Sequence, residues 1–210
     1  YAVLVDAAGT DLVLVGDSLG MVIQGHETTV PVTVRDIIYH TRNVKRGLRR
    51  AFLVSDMPFM SYTNPEQALT NSVQMMQEGG AMMIKLESGE GQVDIVRHLA
   101  RHDIPVCAHL GLKPQSVHKI GGFRVQGREP GEAKRMVDSA RRLQDTGADL
   151  VLLECVPNEL GAAVTEALEI PVIGIGAGPH VDGQILVLYD ILAITRGRTP
   201  RFVRNFMQGL

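Results

Sequence analysis

The 210-residue chain has no apolar run long enough to cross a bilayer as a helix, which takes about 20 residues, so no membrane partner is expected. No basic-then-apolar leader opens it, nothing marks it for secretion, and a cytoplasmic location is the expectation. Neither sign of charge dominates: 21 Lys and Arg stand against 23 Asp and Glu, a formal net charge of -2. That balance supplies no positive field to recruit nucleic acid. Cysteine is scarce as well. Cys107 and Cys155 lie in apolar, strand-like segments and fit two buried thiols in a reducing compartment better than a structural disulfide. Internal repeats and low-complexity tracts are absent. What is present is ordinary for a globular protein, with 45% hydrophobic and 21% charged residues and a length that suits a single domain with a sizeable core.

Short runs that are apolar on both faces recur along the chain: Leu12 to Val15, Phe52 to Val54, Met82 to Leu86, Pro105 to Cys107, Leu150 to Leu153 and Pro171 to Ile175. Buried parallel strands read this way. Helical spacing fills most of the gaps. Leu69, Val73 and Met76 follow it, with Asn64 as cap, Pro65 in the first turn and Gly79-Gly80 as the stop. Met136, Ala140 and Leu143 repeat the spacing up to Gly147, and Leu160, Val164 and Leu168 follow Pro157. Ile185 to Leu188 could be a last strand or the start of a helix. Strands separated by helices imply right-handed βαβ units, and both an open doubly wound sheet and a closed barrel satisfy them. Six firm strands and one doubtful one fall short of an eight-stranded barrel. The chain also opens on an apparent helix, Val3 to Ala8, and a lost first strand would explain both facts.

The informative feature is what closes each apolar run. The first ends in Gly16-Asp17-Ser18 and the second in Ser55-Asp56; the third carries Lys85 and ends at Glu87; the fourth reaches His109 and the fifth Glu154. In either architecture ligands bind at the carboxyl ends of the strands. An Asp at one strand end is ordinarily a helix cap or loop contact. Five successive strands delivering Asp, Asp, Glu, His and Glu to one face point instead to a site. Three carboxylates gathered there repel one another, and a hard cation would relieve the repulsion. Oxygen-only ligands favour Mg²⁺ or Mn²⁺ over zinc, and Mg²⁺ keeps water and accepts substrate oxygens. Lys85 and Glu87 are two apart and share a strand face, so Lys85 is placed to hold an anionic substrate beside the metal. Glu154, two strands further on, is freer to move a proton.

Other signals are weaker. Gly174-Ile175-Gly176-Ala177-Gly178 resembles a nucleotide fingerprint but follows the last firm strand, where a tight turn or close backbone approach is the expectation. Arg42, Lys45, Arg46, Arg49 and Arg50 fit a solvated helix end. Met57, Met60, Met75, Met76, Met82 and Met83 read as core filling. The polar, glycine-rich stretch from Gly121 to Arg128 fits a mobile lid.

Particular blocks carry a family resemblance. Val15-Gly16-Asp17-Ser18-Leu19-Gly20-Met21 with Gln24-Gly25-His26 resembles the ketopantoate hydroxymethyltransferases, also called 3-methyl-2-oxobutanoate hydroxymethyltransferases. So do Asp56-Met57-Pro58-Phe59-Met60, Lys85-Leu86-Glu87, and His109-Leu110-Gly111-Leu112 with Pro114-Gln115-Ser116-Val117. Leu153-Glu154-Cys155-Val156-Pro157 and Ile173-Gly174-Ile175-Gly176-Ala177-Gly178 complete the set in the family's order. The resemblance implies a TIM (βα)8 barrel spanning 1–210 as one catalytic domain, truncated at both ends, with the family's first strand missing before Tyr1 and a helical tail missing after Leu210. It implies Mg²⁺ and hydroxymethyl transfer from 5,10-methylenetetrahydrofolate to 3-methyl-2-oxobutanoate, the committed step toward pantothenate and coenzyme A. By matching position, Asp17 and Asp56 are implied as metal ligands with Glu87 as a further metal-side carboxylate. Asp17, Ser18, Asp56, Lys85 and His109 are implied as substrate contacts, and Glu154 as the proton acceptor. A homo-oligomer, a decamer, is implied likewise. Ser88 stands where many members have glycine, which reads as a mild surface-loop change. The rivals are another Mg²⁺-dependent 2-oxo acid barrel that makes or breaks C–C or P–C bonds, and a non-catalytic barrel module.

Overall fold

The structure, a computed structural model, describes residues 1–195 and 199–207; the expected domain's residues 196–198 and 208–210 lie outside it. Seven parallel strands follow one another in the sheet in chain order: β1 Leu12–Val15, β2 Phe52–Asp56, β3 Met83–Glu87, β4 Val106–Gly111, β5 Leu150–Glu154, β6 Val172–Ile175 and the two-residue β7 Gly183–Gln184. The helices are α1 Ala2–Ala7, α2 Leu19–Val22, α3 Val34–Lys45, α4 Pro65–Gln77, α5 Val93–Ala100, α6 Val117–Ile120, α7 Pro130–Asp145, α8 Asn158–Ala167 and α9 Leu188–Ile191. The expected strands are all present, and β2 to β5 run further at their polar ends, so that Asp56, Glu87 and Glu154 are last strand residues and His109 lies within β4. The doubtful run from Ile185 to Leu188 is neither alternative alone: β7 stops before it, and α9 starts at Leu188. No helix among the described residues is long and apolar enough to cross a membrane.

Local chemistry accounts for the helix starts. Asn64 caps α4 by accepting from Gln67 N–H at 2.9 Å, with Pro65 in the first turn. Thr33 and Asp36 form a reciprocal capping box at α3, an element that apolar spacing alone did not bring out. α1 is tied to the approach to β2 by Asp6, whose carboxylate accepts the N–H groups of Arg49, Arg50 and Ala51 at 3.1, 3.1 and 2.7 Å.

Alternation along each strand divides the core in two. Val15, Leu53, Ile84, Leu86, Val106, Val151, Leu153 and Val172 point outward and pack under the helices with Ile37, Met75, Leu99, Leu143 and Val164. Burying each such side chain stabilises the fold by roughly 1.5–3 kcal/mol. Leu12, Leu14, Val54, Met83, Cys107, Leu152 and Ile173 point the other way and meet as a second cluster. β1 and β6 are far apart in strand order, yet Leu14 and Ile173 line one small cavity with Ile185 after β7. The sheet is therefore curled round an interior, as in a barrel, although β1 and β7 are not paired.

The bland readings hold in part. Met57 and Met75 are fully buried, whereas Met60 and Met82 are exposed. Gly176 and Gly178 both have positive φ, 63° and 86°, in a tight turn where a Cβ on Gly176 would strike the Phe202 ring at 2.7 Å. Ser88 is a correction: it is 1% exposed, with Oγ donating to the Leu86 carbonyl at 3.0 Å, and so is no surface-loop residue. It follows directly on β3, under the loop that starts there.

Candidate active site

The inward register of the strands builds the site. Leu12 and Leu14 on β1, Val54 on β2, Met83 on β3, Cys107 on β4 and Leu150 and Leu152 on β5 form the apolar interior, and the next inward positions are Asp56, Lys85, His109 and Glu154. Asp56 pairs in register with Lys85, and Glu87 with His109. Polar groups thus begin where the apolar layer ends. Gly111, with φ of 91°, lets β4 close on β5, since a Cβ there would lie 2.1 Å from the Glu154 carbonyl oxygen.

Lys85 is the centre. Its Nζ donates to both carboxylate oxygens of Asp56 at 2.7 Å, and the two side chains are 6% and 2% exposed. Burial pulls the ammonium down, but Asp56, Asp17 and Glu87 outweigh it and hold the group above its ordinary value, so Lys85 is charged. Asp17 follows β1, and its N–H donates to Asp56 Oδ2 at 3.2 Å. Burial, then repulsion from Asp56, pushes the Asp17 carboxyl well above the usual range. Burial likewise raises Glu87 to about 7, against the pull of Lys85. Ser18, half-buried beside Asp17, makes no side-chain capping bond to α2.

Glu154 and His109 form a second group across the same face. Burial raises Glu154 to about 7, and Lys85 only partly opposes this. Burial, then the charge of Lys85, pulls the His109 imidazole well below its ordinary value, so the ring is neutral. His109 Nε2 lies 3.3 Å from Glu154 Oε2 without the alignment of a hydrogen bond, and neither ring nitrogen has a partner among the described residues. A buried imidazole with two free nitrogens at the foot of a strand-end site is placed to meet a ligand. The polar loop expected as a lid crosses nearby, Gln126 N–H donating to the Cys155 carbonyl at 2.9 Å.

The expected metal set is brought to one mouth but not to one point. Among the described residues no three His, Cys, Asp or Glu side chains form a cluster that could hold an ion by themselves. Asp17, Asp56 and Glu87 are linked instead through Lys85 and through Gln115, which donates to Asp17 and to Glu87. The donor set nevertheless fits a hard divalent cation. It is all oxygen, and two of its three carboxyls are raised by burial and by neighbouring carboxylates, the penalty that an added cation lifts. Too few protein ligands for a closed cage suits an ion that completes its shell with water and substrate. Sequence reading placed Gln115 in the block Pro114 to Val117 without a role, and it singled out Tyr62 in no way. Both are bland polar residues in strand-end loops, and only the 5% exposure of Gln115 marks it.

Comparison with known proteins bears on the fold and the family. Among solved structures, 2,3-dimethylmalate lyase of the PEP mutase/isocitrate lyase superfamily superposes with a TM-score of 0.61 at 18% identity, over 85% of this chain and 65% of that one. Oxaloacetate acetylhydrolase gives 0.60 at 16% identity, over 82% of this chain, and the match spans 61% of the hydrolase's length. Likenesses this distant establish the TIM-barrel fold. Sequence relatives are much nearer. A 3-methyl-2-oxobutanoate hydroxymethyltransferase of Nitrosococcus oceani is 58% identical over 209 residues, covering 100% of this chain and 79% of the relative. One from Alkalilimnicola ehrlichii is 61% identical over 209 residues, covering 100% and 76%. The family described as Ketopantoate hydroxymethyltransferase matches residues 1–210, and it is to this family that the chain belongs.

Proposed function

We propose that this chain is the single catalytic domain of a cytoplasmic, homo-oligomeric transferase that moves a hydroxymethyl group from 5,10-methylenetetrahydrofolate to 3-methyl-2-oxobutanoate, giving 2-dehydropantoate on the way to pantothenate and coenzyme A. Family membership supports the reaction class, and the observation that carries the mechanism is Glu154, a carboxyl raised to about 7 by burial, 3.3 Å from a neutral His109.

The acceptor carbon lies next to the ketone, and its proton leaves only if the resulting enolate is stabilised. Asp17 and Asp56, with Glu87 beside them, would hold Mg²⁺, whose contribution when bound is Lewis-acid charge at the keto and carboxylate oxygens. Lys85 adds a fixed positive charge at the floor of the same mouth, where the apolar layer below excludes water and strengthens its field. Ser18 and His109 are the polar groups left free to contact the 2-oxo acid. Glu154 removes the C3 proton. A carboxylate near 7 is half ionised at neutral pH and far more basic than an exposed glutamate, as a general base requires. The C3–H electron pair becomes the enolate; water supplies the hydroxyl oxygen as both C–N bonds to the folate's one-carbon unit break and tetrahydrofolate leaves, and the enolate carbon bonds to that one-carbon unit to give the hydroxymethyl group.

A lyase or mutase reading rests on the fold alone, since those neighbours are 16% and 18% identical. The deciding experiment follows the C3 proton signal of 3-methyl-2-oxobutanoate in heavy water with Mg²⁺ and without folate. Wild-type protein should exchange that hydrogen, and Glu154→Gln should slow exchange by at least roughly tenfold. Undiminished exchange in Glu154→Gln rejects the base, and absence of hydroxymethyl product with folate supplied rejects the function.

A further inference from the structure

Asp17, Asp56 and Glu87 stand at the ends of three different strands, and their side-chain oxygens accept from Lys85, Gln115 and, at Asp56, the Asp17 N–H. Lys85 serves both oxygens of Asp56. Every hydrogen bond received by the carboxylates of Asp17 and Glu87 among the described residues comes from Gln115. The Gln115 Nε2 group donates to Asp17 Oδ2 at 2.8 Å and to the Met57 carbonyl at 2.8 Å, while its backbone N–H donates to Glu87 Oε1 at 2.9 Å. Its Oε1 accepts from the Tyr62 hydroxyl at 2.6 Å, so the buried amide is fully used.

Position gives these bonds their consequence. Gln115 lies in the turn Pro114–Ser116 after β4, 98 positions along the chain from Asp17. It reaches past β3, the sheet neighbour of β4, to the ends of β1 and β2, which the sheet itself does not pair with β4. We propose that Gln115 is the positioning residue of the carboxylate cluster. It holds Asp17 and Glu87 apart and aimed, and it leaves Asp17 Oδ1 and Glu87 Oε2 free for the cation and substrate assigned to this mouth above, the reading on which the inference rests. The residue type follows from the charges. With Lys85 already on Asp56, a second Lys or Arg here would offset the remaining negative charge that the cation needs, and an Asp or Glu would add a further repelling charge; a neutral amide orders Asp17 and Glu87 without adding charge of either sign. The Asp17 carboxylate and the Met57 carbonyl fix the amide's direction, because the flipped amide would set its oxygen against both at once, and Tyr62 donates to the oxygen so turned.

Mn²⁺ is the probe for the test, with free ion followed by electron paramagnetic resonance in saturating 3-methyl-2-oxobutanoate. Gln115→Met keeps the length of the side chain and removes its donors to Asp17 and Met57, while the backbone N–H to Glu87 remains. With the fold intact by circular dichroism and melting, its affinity for Mn²⁺ should fall by roughly 10-fold or more, as losses of ligand-orienting partners typically do. Tyr62→Phe leaves Gln115 in place with a free carbonyl and should lose about fivefold, the worth of one hydrogen bond. In steady state the Mg²⁺ requirement of Gln115→Met should rise more than kcat at saturating Mg²⁺ falls, a split that general destabilisation does not produce. Folded Gln115→Met that binds Mn²⁺ within about twofold of wild type overturns the proposal. Wild-type protein that takes up no Mn²⁺ with the oxo acid instead rejects the metal reading. Crystal structures of wild type and Gln115→Met then decide, and an unchanged Asp17 rotamer overturns the brace.

Discussion

Replacing Glu154 by Gln exchanges a buried acid for a neutral side chain of nearly the same shape, and its effect on stability should depend on pH in a calculable way. Burial raises Glu154 from 4.5 to about 7 in the folded protein. Between those values the folded chain holds a proton that the unfolded chain has released, so stability falls as pH rises, and the full cost is reached above 7. A rise of that size corresponds to roughly 3 kcal/mol. Glutamine does not ionise and carries none of it. Glu87 is raised to about 7 in the same direction, but it is present in both proteins and cancels in the difference. Urea unfolding of wild type and Glu154→Gln at a series of pH values from about 5 to 8.5 should show the variant gaining on wild type by about 2–3 kcal/mol across the range. The same variant should be the poorer catalyst. A stability difference that stays constant with pH would refute the buried-acid reasoning, whatever happens to activity.

Three other perturbations read different parts of the structure. Lys85→Met leaves the Asp56 carboxylate buried without its ammonium and should cost about 3–5 kcal/mol by urea unfolding at neutral pH, while the gentler Lys85→Arg should cost less. Gly111→Ala forces a Cβ against the Glu154 carbonyl at a positive φ and should destabilise by more than about 2 kcal/mol in thermal melts, with activity lost because the base is displaced. Light scattering on the purified full-length protein should give a multiple of its own chain mass, and a monomer mass would reject the expected oligomer.

The strands were legible because a buried parallel strand writes itself as a run of Val, Leu and Ile, and the site was legible because polar residues interrupt those runs at a single end. Phe52-Leu53-Val54 followed by Ser55-Asp56 carries both messages in five letters. α5 escaped notice because it is short, Val93–Ala100, and begins from the 3₁₀ turn Glu90–Gln92 without a side-chain cap. Ser88 was misjudged because a polar residue after a strand looks solvated, whereas here a hydrogen bond to Leu86 keeps it buried. Gln115 was named only within the block Pro114 to Val117 and given no role, for a different reason: its role depends on Asp17, Met57, Glu87 and Tyr62, none of them near it in the chain, and no local pattern encodes such a meeting.

The two-residue alternation of the strands has a consequence for how such a protein can diverge. In β3 the same odd–even parity that puts Ile84 and Leu86 beneath the helices puts Lys85 and Glu87 in the mouth. One inserted residue upstream within that strand would exchange the two sets, sending an ammonium and a carboxylate into the helix layer and two aliphatic side chains into the site. A substitution can be absorbed by one wall of the mouth at a time, but a frame shift within a strand inverts its entire contribution. Changes of length over descent are therefore confined to the connections between strands, and the five strands that carry Asp17, Asp56, Lys85, His109 and Glu154 must keep their phase for any chemistry to persist at this end of the barrel.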